Sequence, residues 1–269
     1  MIPSAFEYAR AKSVEETVKL LRDLGSEAKV LAGGHSLIPL MRMRLAQPSV
    51  LVDINRIDDL DYVRLDQGRL HIGALTRHHQ LQENELVRKH LPLLSEMADE
   101  VGDNQVRSMG TIGGVMAHAD SAGDYPTLAL MLDADVVTDR RSITASDFFQ
   151  DVFTSALEAD EVIREVVFPV AQGPHRYIKF RRRLIDWAIV GVAAQRLDDG
   201  WRIGLTNVGP TPVRAHAVEA LLSSGASAEE SSAKADEGLN PSADLRASAD
   251  YKRHLARVLT QRALTLAQS

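Results

Sequence analysis

Two glycine pairs in apolar surroundings constrain this chain more than any other feature. The first lies in Leu31-Ala32-Gly33-Gly34-His35-Ser36-Leu37 and the second in Gly110-Thr111-Ile112-Gly113-Gly114. Each follows a stretch that reads as strand or tight turn, and the first precedes an apolar run suited to a helix. Glycine lets the backbone turn sharply and brings its N–H groups close to a ligand. Amides converging at such a turn, or at a helix start, make an anion site. One such segment is a weak signal. Two in one small protein point to a pyrophosphate gripped from both sides.

Two familiar phosphate readers do not fit. A P-loop ends in Gly-Lys-Ser or Gly-Lys-Thr, and the chain has neither. A dinucleotide fingerprint needs Gly-x-Gly-x-x-Gly opening a helix, with an acidic residue ~20 positions later. Asp53 stands at about that separation from Gly33, but the glycine spacing fails, so Asp53 reads as a local turn contact.

Composition narrows the class further. A chain of 269 residues can bury one large core or a few small ones. A formal net charge of −6 and the lack of a dense Lys/Arg run argue against a nucleic-acid partner. No apolar stretch approaches the ~18 residues of a membrane span. The start, Met1-Ile2-Pro3-Ser4-Ala5-Phe6, lacks the basic flank and apolar run of a secretory signal, so a cytoplasmic location is expected. Cysteine is absent, which excludes disulfides, thiol nucleophiles and cysteine-held iron–sulfur clusters together. Redox chemistry here must use a bound organic cofactor. The nine histidines show no metal spacing, and His78 and His79 would point apart on a helix, so no metal site is expected.

The pattern along the chain predicts an α+β fold. Ser13 and Glu16 have capping-box spacing, Val14, Val18 and Leu21 share a face, and Gly25 sits at a C-cap, predicting a helix over 13–24. Lys29–Leu31 and Val50–Ile54 read as strands, with a helix over 37–45 between them whose first turn holds Pro39. This forms a βαβ-like lobe. A hairpin follows, turning at Asp66-Gln67-Gly68. Helices are then expected near 92–101 and 126–132, and strands at 135–137 and 161–168. Three strands over 177–183, 188–196 and 201–208 suggest an antiparallel meander, followed by a helical tail. Its Ser/Ala/Gly-rich spacer over 223–243 reads as the most mobile segment. Tyr251, Leu255, Val258 and Leu259 give the last helix an apolar stripe for core packing.

These motifs in this order resemble one family. Lys29 through Pro39, Gln105-Val106-Arg107 with Thr111-Ile112-Gly113-Gly114, and His118-Ala119-Asp120 with Asp124 are similar to the FAD-binding medium subunit of molybdenum hydroxylases. That group includes aerobic carbon monoxide dehydrogenases and xanthine dehydrogenases. Lys179 through Ala188 and Asn207 through Pro212 resemble the same family's C-terminal part, so the likeness runs the whole length. It implies a two-lobed FAD-binding (PCMH-type) domain, its subdomains at 1–56 and 57–175, then a C-terminal antiparallel sheet with helices at 176–269.

The resemblance also implies roles. The pyrophosphate of FAD would be held by backbone amides of Ala32, Gly33, Gly34, His35, Ser36 and Leu37, and of Thr111, Ile112, Gly113 and Gly114. His35, Ser36 and Thr111 would add side-chain donors. Asp124 would bond the polyol chain, where the residues alone read it as a helix cap. Trp187 would lie against the flavin ring and Lys179 would place a cation near it; without the resemblance, a core tryptophan and a solvated strand lysine are the alternatives. Val101 and Ile163 would line the pocket. Val115 and Ile185 stand where relatives often carry a polar residue and a glycine. No side chain is assigned a catalytic role.

Family logic puts substrate oxidation on a large molybdopterin–molybdenum subunit and two 2Fe–2S clusters on a small subunit. Electrons would pass through FAD to an external acceptor, with carbon monoxide dehydrogenase the nearest pattern. The implied assembly is a dimer of heterotrimers, with Arg42, Arg44, Arg181, Arg182 and Arg183 available to dock an acidic small subunit. A stand-alone FAD-dependent oxidase or reductase, and a non-catalytic scaffold with a degenerate flavin site, stay open on the same residues.

Overall fold

Ser13 accepts the Glu16 N–H at 3.1 Å, and the Glu16 carboxylate accepts the Lys12 N–H at 2.7 Å, which starts the helix Val14–Leu24. Gly25, with φ of 63°, ends it. Val14, Thr17, Val18 and Leu21 are buried on a three-stranded parallel sheet. In this computed structural model, which describes residues 2–268, that sheet places Val50–Asp53 between Glu7–Arg10 and Ala28–Leu31. The edge strand Glu7–Arg10 is mostly exposed, so no apolar alternation marks it in the sequence. The helix after the first glycine pair is shorter than expected, Leu37–Arg42, because Arg44 adopts a left-handed φ of 60°.

The second lobe is built on the order Val63–Asp66, Arg69–Gly73, Ile163–Pro169, Asp135–Thr138, Ser142–Thr144, all antiparallel. Its hairpin turns at Gln67 and Gly68, both with positive φ, as a primed two-residue turn requires. Helices between these strands fill one face with Leu93, Leu94, Met97, Met116 and Leu128. Several are short, among them His78–Glu83, Asn104–Met109 and Ile112–His118. The second glycine pair is therefore not a free loop. It forms the first turn of Ile112–His118, and Thr111 is its N-cap.

The third sheet runs His175–Phe180, Val190–Leu197, Gly200–Thr206, Val213–Arg214 in antiparallel order, with the helix Ala249–Ala267 packed on it. It meets the second lobe along the helix Asp124–Met131. A Cβ at Gly204 would lie 2.6 Å from Thr127, and the Thr127 and Thr206 hydroxyls bond at 2.7 Å. The 223–243 spacer is packed, against expectation. Ser227 and Glu230 cap the short helix Ala228–Ser232, and Ala235 and Leu239 join the C-terminal core, where small side chains permit close approach. The last helix buries Leu255 and Leu259 as expected, but Tyr251 is exposed and Lys252 is buried instead, paired with Asp244 at 3.0 Å. Among the described residues no helix is long and apolar enough to cross a membrane.

Candidate cofactor-binding site

A cleft of about 550 Å³ opens between the lobes. It is within the usual range for small-molecule sites. The turn at Ala32–Leu37 forms one wall and the start of Ile112–His118 forms another. The two glycine segments meet directly. A Cβ on Gly33 would collide with the Met109 carbonyl and lie 2.8 Å from Gly110 Cα. Only a residue without a side chain permits that approach.

Hydrogen-bond accounting separates the two segments. Among the described residues, none accepts from the backbone N–H groups of Gly33, Gly34, His35, Ser36 and Leu37, all of which line the cleft. These residues are not buried, so their amides are left to water or to a ligand in the cleft. The second segment is largely satisfied from within. Ile112 N–H donates to Thr76 C=O at 3.1 Å, Gly113 N–H to Ala74 C=O at 2.9 Å, and Gly114 N–H to Thr111 Oγ1 at 3.2 Å. The Thr111 hydroxyl still has its own hydrogen to donate. Ile112 does not reach the cleft. Its side chain is fully buried in the middle core, because successive helical residues point to different sides.

Asp124, Val101, Ile163, Lys179 and Trp187 all line the cleft. Asp124 opens its helix at N1, but its carboxylate does not cap it. It accepts hydrogen bonds from Tyr177 and from Lys179 Nζ, the latter at 2.8 Å. The Lys179 and Asp124 side chains are only 2% and 5% exposed, so Lys179 is not a solvated strand lysine. Lys179 also donates to the Glu100 carbonyl at 3.0 Å. Burial together with the Asp124 charge pushes the Tyr177 hydroxyl well above its ordinary pKa. Trp187 is no core residue, being 47% exposed at the cleft edge beside Ile185 and Asp186. Arg181 pairs with Glu100 at 2.7 Å, while Arg42, Arg44, Arg182 and Arg183 are exposed.

Other lining residues were not foreseen. His78 packs edge-on against Tyr125 with centroids 5.2 Å apart, and burial drives its pKa down to about 3, so its imidazole is neutral. His118 lies 5.0 Å from Phe153, whose φ of 52° places a bulky residue in the left-handed region at a hairpin tip. No periodicity in the sequence marks Phe153. The isolated motif His118-Ala119-Asp120 was the only local signal for His118.

Glu161 closes one end of the cleft and carries a pH prediction. Its carboxylate accepts from Arg141 at 2.8 and 2.9 Å, from the Thr138 hydroxyl at 2.7 Å and from Glu158 N–H at 3.0 Å. The Arg141 bonds chiefly, against burial, lower its pKa from 4.5 to about 2. A depressed folded-state pKa gives stability that is present above 4.5 and lost as pH falls through about 2. The contribution is roughly 2–3 kcal/mol. Glu161→Gln should therefore flatten the thermal-unfolding profile across that window, and a profile superimposable on wild type would remove this carboxylate from the account.

Residues 4–171 match the family described as the FAD binding domain in molybdopterin dehydrogenase, and residues 175–267 match the CO dehydrogenase flavoprotein C-terminal domain. The chain belongs to this family and is an FAD-binding oxidoreductase subunit of the molybdenum hydroxylase class. The carbon monoxide dehydrogenase medium chain of Hydrogenophaga pseudoflava is 42% identical, covering 99% of this chain and 98% of the relative. The 6-hydroxypseudooxynicotine dehydrogenase complex subunit alpha of Paenarthrobacter nicotinovorans is 38% identical over 99% and 96%. Among solved structures, carbon monoxide dehydrogenase from H. pseudoflava lacking the Mo-pyranopterin moiety superposes with a TM-score of 0.95, covering 100% of this chain and 99% of that one.

Proposed function

We propose that the cleft binds FAD and that the chain serves as the flavin-carrying medium subunit of a molybdenum hydroxylase complex of the carbon monoxide dehydrogenase type. The observation that carries this reading is the unpaired run of amides from Gly33 to Leu37 facing the cleft. Five N–H donors without a protein acceptor suit an anionic group such as a diphosphate. His35 and Ser36 add side-chain donors, and the Thr111 hydroxyl approaches from the opposite wall with Gly113 and Gly114 beneath it. Ala32 lies at the mouth of the same turn.

Remaining residues divide the rest of the ligand. The Asp124 carboxylate has lone pairs beyond those taken by Tyr177 and Lys179, enough to accept from a polyol hydroxyl. Lys179 keeps one N–H and its charge for the flavin end. Trp187 offers a ring face for stacking, and Val101 and Ile163 supply apolar wall. FAD, when bound, takes electrons from iron–sulfur clusters and passes them to an external acceptor. Those 2Fe–2S clusters and the molybdopterin–molybdenum centre belong to the small and large partner subunits, in a cytoplasmic dimer of heterotrimers. Exposed Arg42, Arg44, Arg182 and Arg183 form the docking face for an acidic small subunit, without the paired Arg181. The functional units follow the bounds 1–56, 57–175 and 176–269.

Titrating the purified full chain with FAD while following the visible spectrum tests the reading, with Gly114→Val as a second sample. A Cβ at Gly114 would meet only the movable Thr111 hydroxyl, at 2.8 Å, so the fold should survive while that donor is displaced. The variant should bind FAD about 10-fold more weakly, the equivalent of one charge-assisted hydrogen bond. A wild-type chain that takes up no FAD sinks the proposal.

A further inference from the structure

Behind the cleft, a chain of hydrogen bonds joins the two glycine segments. Asn55 Nδ2 donates to the Ala32 carbonyl at 2.8 Å. Its Oδ1 accepts from Arg77 Nη2 at 2.7 Å, and Arg77 Nη1 donates to the Met109 carbonyl. Neither Asn55 nor Arg77 is among the residues that line the cleft. Both are half-buried. We propose that Asn55 and Arg77 form a clasp that aims the first turn's amides at the nucleotide and holds the second segment in register with it.

The geometry explains how this works. A trans peptide points its C=O and its N–H in opposite directions. Tying the Ala32 carbonyl back to Asn55 therefore turns the Gly33 N–H away from Asn55, toward the cleft that Gly33 lines. Asn55 is itself fixed, because Asp53 Oδ1 accepts from its backbone N–H at 2.8 Å and from its Nδ2 at 2.7 Å. Asp53 is thus the turn contact expected of it. On the other side, the main chain at Arg77 lies antiparallel to Thr111, with His78 N–H donating to Gly110 C=O at 3.2 Å. Arg77 also starts its helix with its N–H on Gln80 Oε1 at 2.6 Å. Its guanidinium is needed as a fork, since two acceptors on separate segments are reached at once. These are positioning residues, acting on the ligand through Ala32 and Met109.

This proposal rests on the cleft being an FAD site, and the test separates the two. FAD affinity and FAD dissociation rate would be measured on the full chain for wild type, Arg77→Lys, Arg77→Ala and Asn55→Asp, with the melting temperature of each flavin-free protein. Arg77→Lys keeps the charge but loses the fork. Asn55→Asp keeps an acceptor for Arg77 but has no donor for the Ala32 carbonyl, and it sets a second carboxylate against Asp53 Oδ1. The expected result is a loss of about 10-fold in affinity for all three, with faster dissociation, an Arg77→Lys melting temperature close to wild type, and a lower one for Asn55→Asp, where two carboxylates meet. Rescue by lysine, or an Asn55→Asp chain that binds FAD like wild type, overturns the clasp while leaving the FAD site intact. A wild-type chain that binds no FAD overturns both.

Discussion

Replacing Gly33 with alanine is expected to weaken FAD binding by about 100-fold, equivalent to about 2.8 kcal/mol. The methyl group would run into the Met109 carbonyl and sit 2.8 Å from Gly110 Cα and 3.0 Å from the Met109 carbonyl carbon. All three are backbone atoms, so no side-chain tip can swing aside. The turn carrying the unpaired amides must move away from the second segment, and the two walls no longer face one diphosphate. Gly34 differs: its φ of 74° disfavours any side chain, but a Cβ there meets chiefly the Ile38 side chain, at 2.7 Å. Flavin occupancy after purification, read from the visible spectrum against protein absorbance, checks the prediction. A Gly33→Ala chain that keeps its flavin would show that the walls are not set by this contact.

The other large effect concerns Lys179. Lys179→Met should lower stability by about 3–5 kcal/mol, because it strands the Asp124 carboxylate in a buried site with Tyr177 as its remaining hydrogen-bond donor. The loss would fall on the seam between the lobes, where the helix Asp124–Met131 packs on the C-terminal sheet through Thr127 and Gly204. A drop in melting temperature of roughly 10 °C is the expected size. Adding Asp124→Asn to the same chain should recover most of it, since the uncompensated charge is then gone. A double variant as unstable as the single one would mean that the pair matters for shape and packing and not for charge balance.

Much of the framework was legible in the residues. Ser13 with Glu16 marked a helix start, Gly25 marked its end, and Gln67-Gly68 marked a hairpin, because caps and tight turns are governed by the dihedral preferences and side-chain reach of a few adjacent residues. Where reading failed, the cause was contact at long range. Glu7–Arg10 is a strand because Val50–Asp53 needs a partner, not through any alternation of its own. The 223–243 spacer has the composition of a linker, yet it packs because small residues fit closely under the last helix. Ile112 was expected to offer its backbone N–H to the ligand, but the Thr76 carbonyl takes that donor once the segments pack.

The sequence by itself determined the α+β class and the family, and it singled out the two glycine segments as the proposed nucleotide site. These follow from local backbone chemistry and from motif order, both carried by neighbouring residues. Only the tertiary structure decided which amides are left unpaired, that Lys179 and Asp124 neutralise each other, and that Asn55 and Arg77 tie the walls together. The partners in those bonds lie 55 residues apart for Lys179 with Asp124, and 22 and 32 apart for Arg77 with Asn55 and Met109. Separations of that size are set by how sheets and helices stack, so the bonds come into being only once the lobes have packed.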